Sequence, residues 1–153
     1  MSILLQLDEG RLAEQLPAML DAFEEDIEKA QPLFEIGGQR LEVIARTLPY
    51  NQALYDQRAQ EAKQLVKWLE NNLARIEAKL TKNYLNGQRA YGARETSTLI
   101  AGEREMVENK QLIIEITLVY EKLSAIVEAF KTMSWMLGHI TKLRVAELQN
   151  VIL

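Results

Sequence analysis

The chain has 153 residues, 48% of them hydrophobic, which suits about one domain with its own core and excludes a wholly disordered protein. It has no cysteine, so a disulfide framework, a thiolate zinc site and a cysteine nucleophile are excluded. The formal charge of −4 conceals an asymmetry: residues 1–35 hold nine Asp or Glu against two Lys or Arg, whereas residues 58–94 hold eight Lys or Arg against three Glu. Such a split points to polyanion binding by one part of the chain and an acidic arm in another.

The opening "MSILLQL" lacks a basic flank and runs into Asp8 and Glu9, so it does not read as a secretory signal. In the C-terminal half the longest uncharged run, residues 132–141, is far below the roughly 18 apolar residues a spanning helix needs. The expectation is a soluble, cytoplasmic protein. Prolines occur only at positions 17, 32 and 49, and they are expected to cut the first third into short pieces. Between them "PAMLDAFEEDIEKAQ" reads as an acidic amphipathic helix with Met19, Leu20, Phe23 and Ile27 on one face. A break is expected at "QPLFEIGGQR", where Pro32 and Gly37-Gly38 oppose a continuous helix.

No proline follows Pro49, and two long helical patterns fill that region. In the first, expected from about residue 51 to 85, Ala62, Leu65, Leu69, Leu73, Ile76, Leu80 and Tyr84 recur at steps of three and four. In the second, Ile116, Val119, Leu123, Ile126, Phe130, Met133, Leu137 and Ile140 do the same. Joined by a Gly-containing connection, they read as a long antiparallel helical hairpin in an all-α fold. Residues 1–46 are expected to form an acidic N-terminal helical segment, and residues 47–153 a helical-hairpin domain that carries oligomerisation and, from the basic segment described below, DNA binding. Within "QLIIEITLVYEKL" the residues Leu112, Ile113, Ile114, Ile116, Leu118, Val119 and Tyr120 lie almost all the way round a helix, so several faces must be covered. A homo-oligomer is expected to cover them, with Ile116, Leu118, Val119, Leu123, Phe130 and Leu137 at the interface; the alternative is a closed monomeric four-helix bundle. Phe130, Trp135 and Met136 are expected in the core in either case.

Catalytic signals are lacking. No phosphate-binding glycine motif, serine nucleophile elbow or metal-protease histidine pair occurs. The single histidine, His139, has Met136 where a di-iron bundle would place a Glu, and there is no second His. His139 reads as a surface residue, and the run Glu24, Glu25, Asp26 and Glu28 as a solvated face. No enzyme activity, cofactor or metal is expected.

One segment stands apart. From Lys79 to Arg94 there is no carboxylate, but there are Lys79, Lys82, Arg89 and Arg94 with Tyr84, Tyr91, Gly87 and Gly92. At about 100° per residue Arg75, Lys79 and Lys82 share a narrow arc, roughly 130° from the Leu69–Leu80 stripe. Cations for phosphates and flat rings for unstacked bases are what single-stranded nucleic acid requires. Arg75, Lys79, Lys82, Tyr84, Arg89, Tyr91 and Arg94 are therefore the candidate nucleic-acid-binding residues.

"LPYNQALYDQ", "KWLENNLARIEAKLTKNYLNGQ", "GEREMVENKQLIIEITLVYEKLSAIVEAF" and "SWMLGHITKLR" resemble, in order and spacing, the tailed-phage recombination mediators of the UvsY type. The resemblance covers about residues 47–145 and leaves residues 1–46 outside it. In that family a Pro-initiated helix ends in a basic Tyr-x-x-Gly turn, here Tyr84 to Gly87, and a second long helix leads to an aromatic, basic C-terminal segment. The resemblance implies a non-enzymatic helical ring that binds single-stranded DNA and helps a RecA-like recombinase displace single-strand-binding protein. It implies an infected bacterial cell as the setting, and places DNA contacts on Lys79 and Lys82. Where the family often pairs tyrosines this chain has Tyr84-Leu85, which shifts stacking toward Tyr91. Two other readings remain open: a coiled-coil assembly or scaffold protein without nucleic-acid binding, and an acidic adaptor docking on a basic partner through residues 8–30.

Overall fold

The structure, a computed structural model, describes residues 12–35 and 37–151, so the reading of "MSILLQL", Asp8 and Glu9 lies outside the described residues. The elements are α1 (Leu12–Ala30), a 3-10 turn (Gln31–Phe34), α2 (Leu41–Leu85), α3 (Ala93–Gly102) and α4 (Arg104–Val151), with no strand among the described residues. At 1.5 Å per residue α2 and α4 are about 68 and 72 Å long. Ile76 clusters with Met106 near one end of the pair and Tyr55 meets Phe130 farther along, so α2 and α4 run antiparallel. The all-α hairpin is thus as expected.

The two stripes seen in the sequence form the hairpin seam. Ala62, Leu65 and Leu69 on α2 face Ile116, Val119, Leu123, Phe130, Met133 and Leu137 on α4, all of them buried. Leucine and isoleucine at steps of three and four give each helix one apolar edge, and removing two such edges from water stabilises the hairpin by roughly 1.5–3 kcal/mol per large side chain. α1 closes over the far end through Leu16, Met19 and Phe23, with Leu20 and Ile27 packed beside them.

Phe130, with no exposed surface, is the hub of that end. Its ring lies 4.6 Å from Phe34 of the 3-10 turn and 5.5 Å from Tyr55 of α2. The Tyr55 hydroxyl donates to the Asp26 carbonyl at 2.7 Å, and burial pushes this phenol up, which keeps it a donor. Arg58 adds an ion pair to Asp26 at 2.8 Å and another to the buried Glu61 at 2.9 Å, while Gln57 donates to the other Glu61 oxygen at 3.1 Å. With both oxygens engaged, Glu61 avoids the cost of an uncompensated buried charge.

Two prolines behave differently from the expectation. Pro17 lies inside α1, and Pro49 lies inside α2, whose first turn is at Leu41 rather than near residue 51. A proline inside a helix costs about 3 kcal/mol. Here Ile44 and Leu48 are buried just before Pro49, and two such side chains contribute enough, at roughly 1.5–3 kcal/mol each, to offset it. The break between α1 and α2 is as expected, with the 3-10 turn at Gln31–Phe34 and Gly38 at φ +78°, a left-handed conformation open to glycine. Trp135 and Met136 are not core residues of this chain: Trp135 is 67% exposed, and its ring meets His139 edge-on at 4.1 Å. No helix among the described residues is long and apolar enough to cross a membrane.

Candidate nucleic-acid interface

The carboxylate-free segment forms the tip of the hairpin. α2 ends at Leu85, where the Asn86 N–H donates to the Lys82 carbonyl at 3.0 Å, and residues 86–92 turn the chain into α3. α3, absent from the sequence reading, folds back on the end of α2. Its Ile100 joins Ile76 and Met106 in a second small core, with Leu73, Leu80 and Tyr84 packed against it. The amphipathic pattern of α2 therefore continues to its last turn, with a different partner.

Tyr84 is held between two contacts. Its hydroxyl donates to Glu103, at the junction of α3 and α4, and its ring meets Tyr91 edge-on at 5.7 Å. The bond to Glu103 pushes the Tyr84 phenol up, burial adding to it, so Tyr84 stays neutral and donating through physiological pH. Arg89 places its guanidinium 5.1 Å from the centre of the Tyr91 ring and lies 3.9 Å from Glu95. Tyr91 thus joins Tyr84 and Arg89 in one aromatic and cationic cluster.

Arg75, Lys79 and Lys82 are exposed on α2, and Arg94 is exposed in the first turn of α3. Lys79, Lys82 and Arg94 make no ion pair among the described residues, and no acidic side chain intervenes between Lys79 and Arg94. Beside Lys82 lies a shallow groove lined by Ala74, Glu77, Ala78, Thr81, Leu85 and Asn86, so one carboxylate borders it. Glu95 and Glu103 are the tip residues that sequence reasoning missed. A contact between residues 84 and 103 has no periodicity to reveal it, although Glu103 beside Gly102 does mark a helix junction.

The residues expected at a subunit interface need correction. Ile116, Val119, Leu123, Phe130 and Leu137 are buried in the seam of this chain, and of the six only Leu118 is exposed. Of the large apolar side chains that α4 leaves exposed, Trp135, Val145 and Leu148 lie on other faces, and the remaining five are Val107, Ile114, Leu118, Met136 and Leu143. At 100° per residue they fall on one line, roughly 140° from the seam. The signal for this second stripe was present in the sequence, interleaved with the first.

Among the described residues no group of three His, Cys, Asp or Glu could hold a metal ion. No family model matches the chain, and no curated protein matches it. The fold is similar to that in the crystal structure of the bacteriophage T4 recombination mediator protein UvsY, with a TM-score of 0.68 at 16% identity over 84% of this chain and 98% of that one. At this identity the likeness is one of fold, and it spans nearly the whole of the solved chain.

Proposed function

We propose that this chain is a recombination mediator that binds single-stranded DNA as a homo-oligomer and helps a RecA-like recombinase load where single-strand-binding protein covers the strand. The observation that carries this reading is the tip itself: Lys79, Lys82 and Arg94 exposed, with no ion pair among the described residues, beside the Tyr84–Tyr91–Arg89 cluster. The lysines meet phosphates, and Tyr91 offers a ring to an unstacked base. The similarity of fold to a recombination mediator protein supports the same reading.

The test is a titration of labelled single-stranded and duplex oligonucleotides at rising salt. Three phosphate contacts give a slope of log affinity against log salt of about −2 per subunit, and about −3 if Arg89 leaves Glu95 for a fourth. Single strands should bind more tightly than duplex, whose bases are already stacked. Failure to bind single strands at low salt overturns the reading and favours the scaffold.

Assembly is proposed through the uncovered stripe of α4. Ile114 is 62% and Leu118 51% exposed, so exchanging both for Glu leaves the chain's own core intact. Sedimentation should then change from an oligomer to a monomer with unchanged helicity, because two charges per subunit would be buried without partners. A wild-type protein that is already monomeric at micromolar concentration removes the proposal. Charging Val119 is expected to unfold the hairpin instead, since that side chain lies in the seam.

A further inference from the structure

The tip contains a carboxylate where a polyanion site should exclude one. Glu103 sits between α3 and α4, half-buried, and its backbone is fixed at both ends: its N–H donates to the Ile100 carbonyl at 3.1 Å and its carbonyl accepts the Val107 N–H at 3.0 Å. This fixes the direction in which the side chain leaves the backbone, and its carboxylate accepts the Tyr84 hydroxyl. Tyr84 in turn backs Tyr91 edge-on, and Arg89 covers Tyr91. A chain of contacts therefore runs from the start of α4 to the ring best placed for a base.

We propose that Glu103 is a positioning residue of the strand-binding tip, holding Tyr84, and through it Tyr91, in the orientation that a base stacks upon. The proposal rests on the reading of the tip as a single-strand site. Its physical content is preorganisation: a loop of seven residues with two glycines would otherwise have to be ordered at the moment of binding, and that ordering subtracts from affinity. The negative charge of Glu103 works in the opposite direction, repelling phosphates. The two effects have opposite signs, which makes the residue diagnostic.

The experiment compares wild type with Glu103→Ala, Glu103→Gln, Tyr84→Phe and the Tyr84→Phe/Glu103→Ala double variant, each titrated with a single-stranded oligonucleotide and with an abasic strand of equal length. Glu103→Ala and Tyr84→Phe should each weaken binding of the base-bearing strand roughly five- to tenfold, with the salt slope unchanged and little effect on the abasic strand. The double variant should be no weaker than either single one, because both remove the same bond. Glu103→Gln keeps an oxygen acceptor and loses the charge, so it should bind as tightly as wild type or tighter.

Equal or tighter binding by Glu103→Ala overturns the proposal and makes the carboxylate a simple repulsive charge. Equal losses on the abasic strand overturn it too, because they mean a general loss of structure. If Glu103→Ala fails to fold, Tyr84→Phe and Glu103→Gln still decide: wild-type affinity in the first, or a loss in the second, overturns the proposal. Wild-type protein that binds neither strand removes the underlying reading, whereas wild-type binding with an unaffected Tyr84→Phe removes the positioning role alone.

Discussion

Exchanging Lys79 and Lys82 for alanine is expected to weaken single-strand binding roughly 25-fold at about 0.1 M salt, and to flatten the salt slope by about 1.4. The magnitude follows from counterion release. Each phosphate contact contributes about −0.7 to the slope, which between 1 M and 0.1 M salt amounts to about 0.7 of a decade per contact. Both lysines are exposed on α2, so the fold does not depend on them, and alanine favours a helix slightly more than lysine does. The loss should be the same for every base sequence, because phosphates carry no sequence information. A correctly assembled double variant with wild-type affinity and wild-type slope means that the tip is a connector and that the strand, if bound at all, lies elsewhere.

The second large effect is on stability. Phe130→Ala is expected to cost about 3–5 kcal/mol, the range for removing a fully buried aromatic side chain. It leaves Phe34 and Tyr55 facing a cavity, which loosens the hold of the 3-10 turn on the hairpin. For a chain of this size the melting temperature should fall by roughly 6–20 °C. Phe130→Leu, which fills part of the space, should cost distinctly less. If Phe130→Ala shifts the denaturation midpoint by less than the equivalent of about 1 kcal/mol, the far end of the molecule is not packed around this ring.

The hairpin was legible in the sequence because its two long helices each carry a single dominant apolar period, and a seam between antiparallel helices needs nothing more. Met19, Leu20, Phe23 and Ile27 showed the inward face of α1 in the same way. Pro49 misled because the local rule for proline carries no knowledge of Ile44 and Leu48, whose burial against other helices outweighs it. α4 misled because two apolar lines on one helix look alike until a partner covers one of them. The residues buried in the seam were thereby exchanged for those left outside, and Trp135 was taken for core. At the tip, the basic and aromatic composition of residues 79–94 was readable, but its geometry was not. The Tyr84–Glu103 bond and the Ile76–Ile100–Met106 core join short segments without any repeat, so only three-dimensional packing reveals them.

The order in which contacts can form also differs along the molecule. At the tip Ile76 clusters with Ile100 and Met106, so roughly 25–30 residues of chain must be closed; at the far end Tyr55 meets Phe130 across roughly 75. Closing the longer stretch from an open chain costs about 1 kcal/mol more entropy. Once the tip has formed, each further pair along α2 and α4 closes only a short increment, so loop closure favours zipping outward from the tip, with α1 expected to dock late. Substitutions at Ile76, Ile100 or Met106 then act chiefly on the folding rate, and those at Phe23 or Phe130 chiefly on the unfolding rate. The segment proposed to bind single strands is by this route also the one from which the helices would find their register.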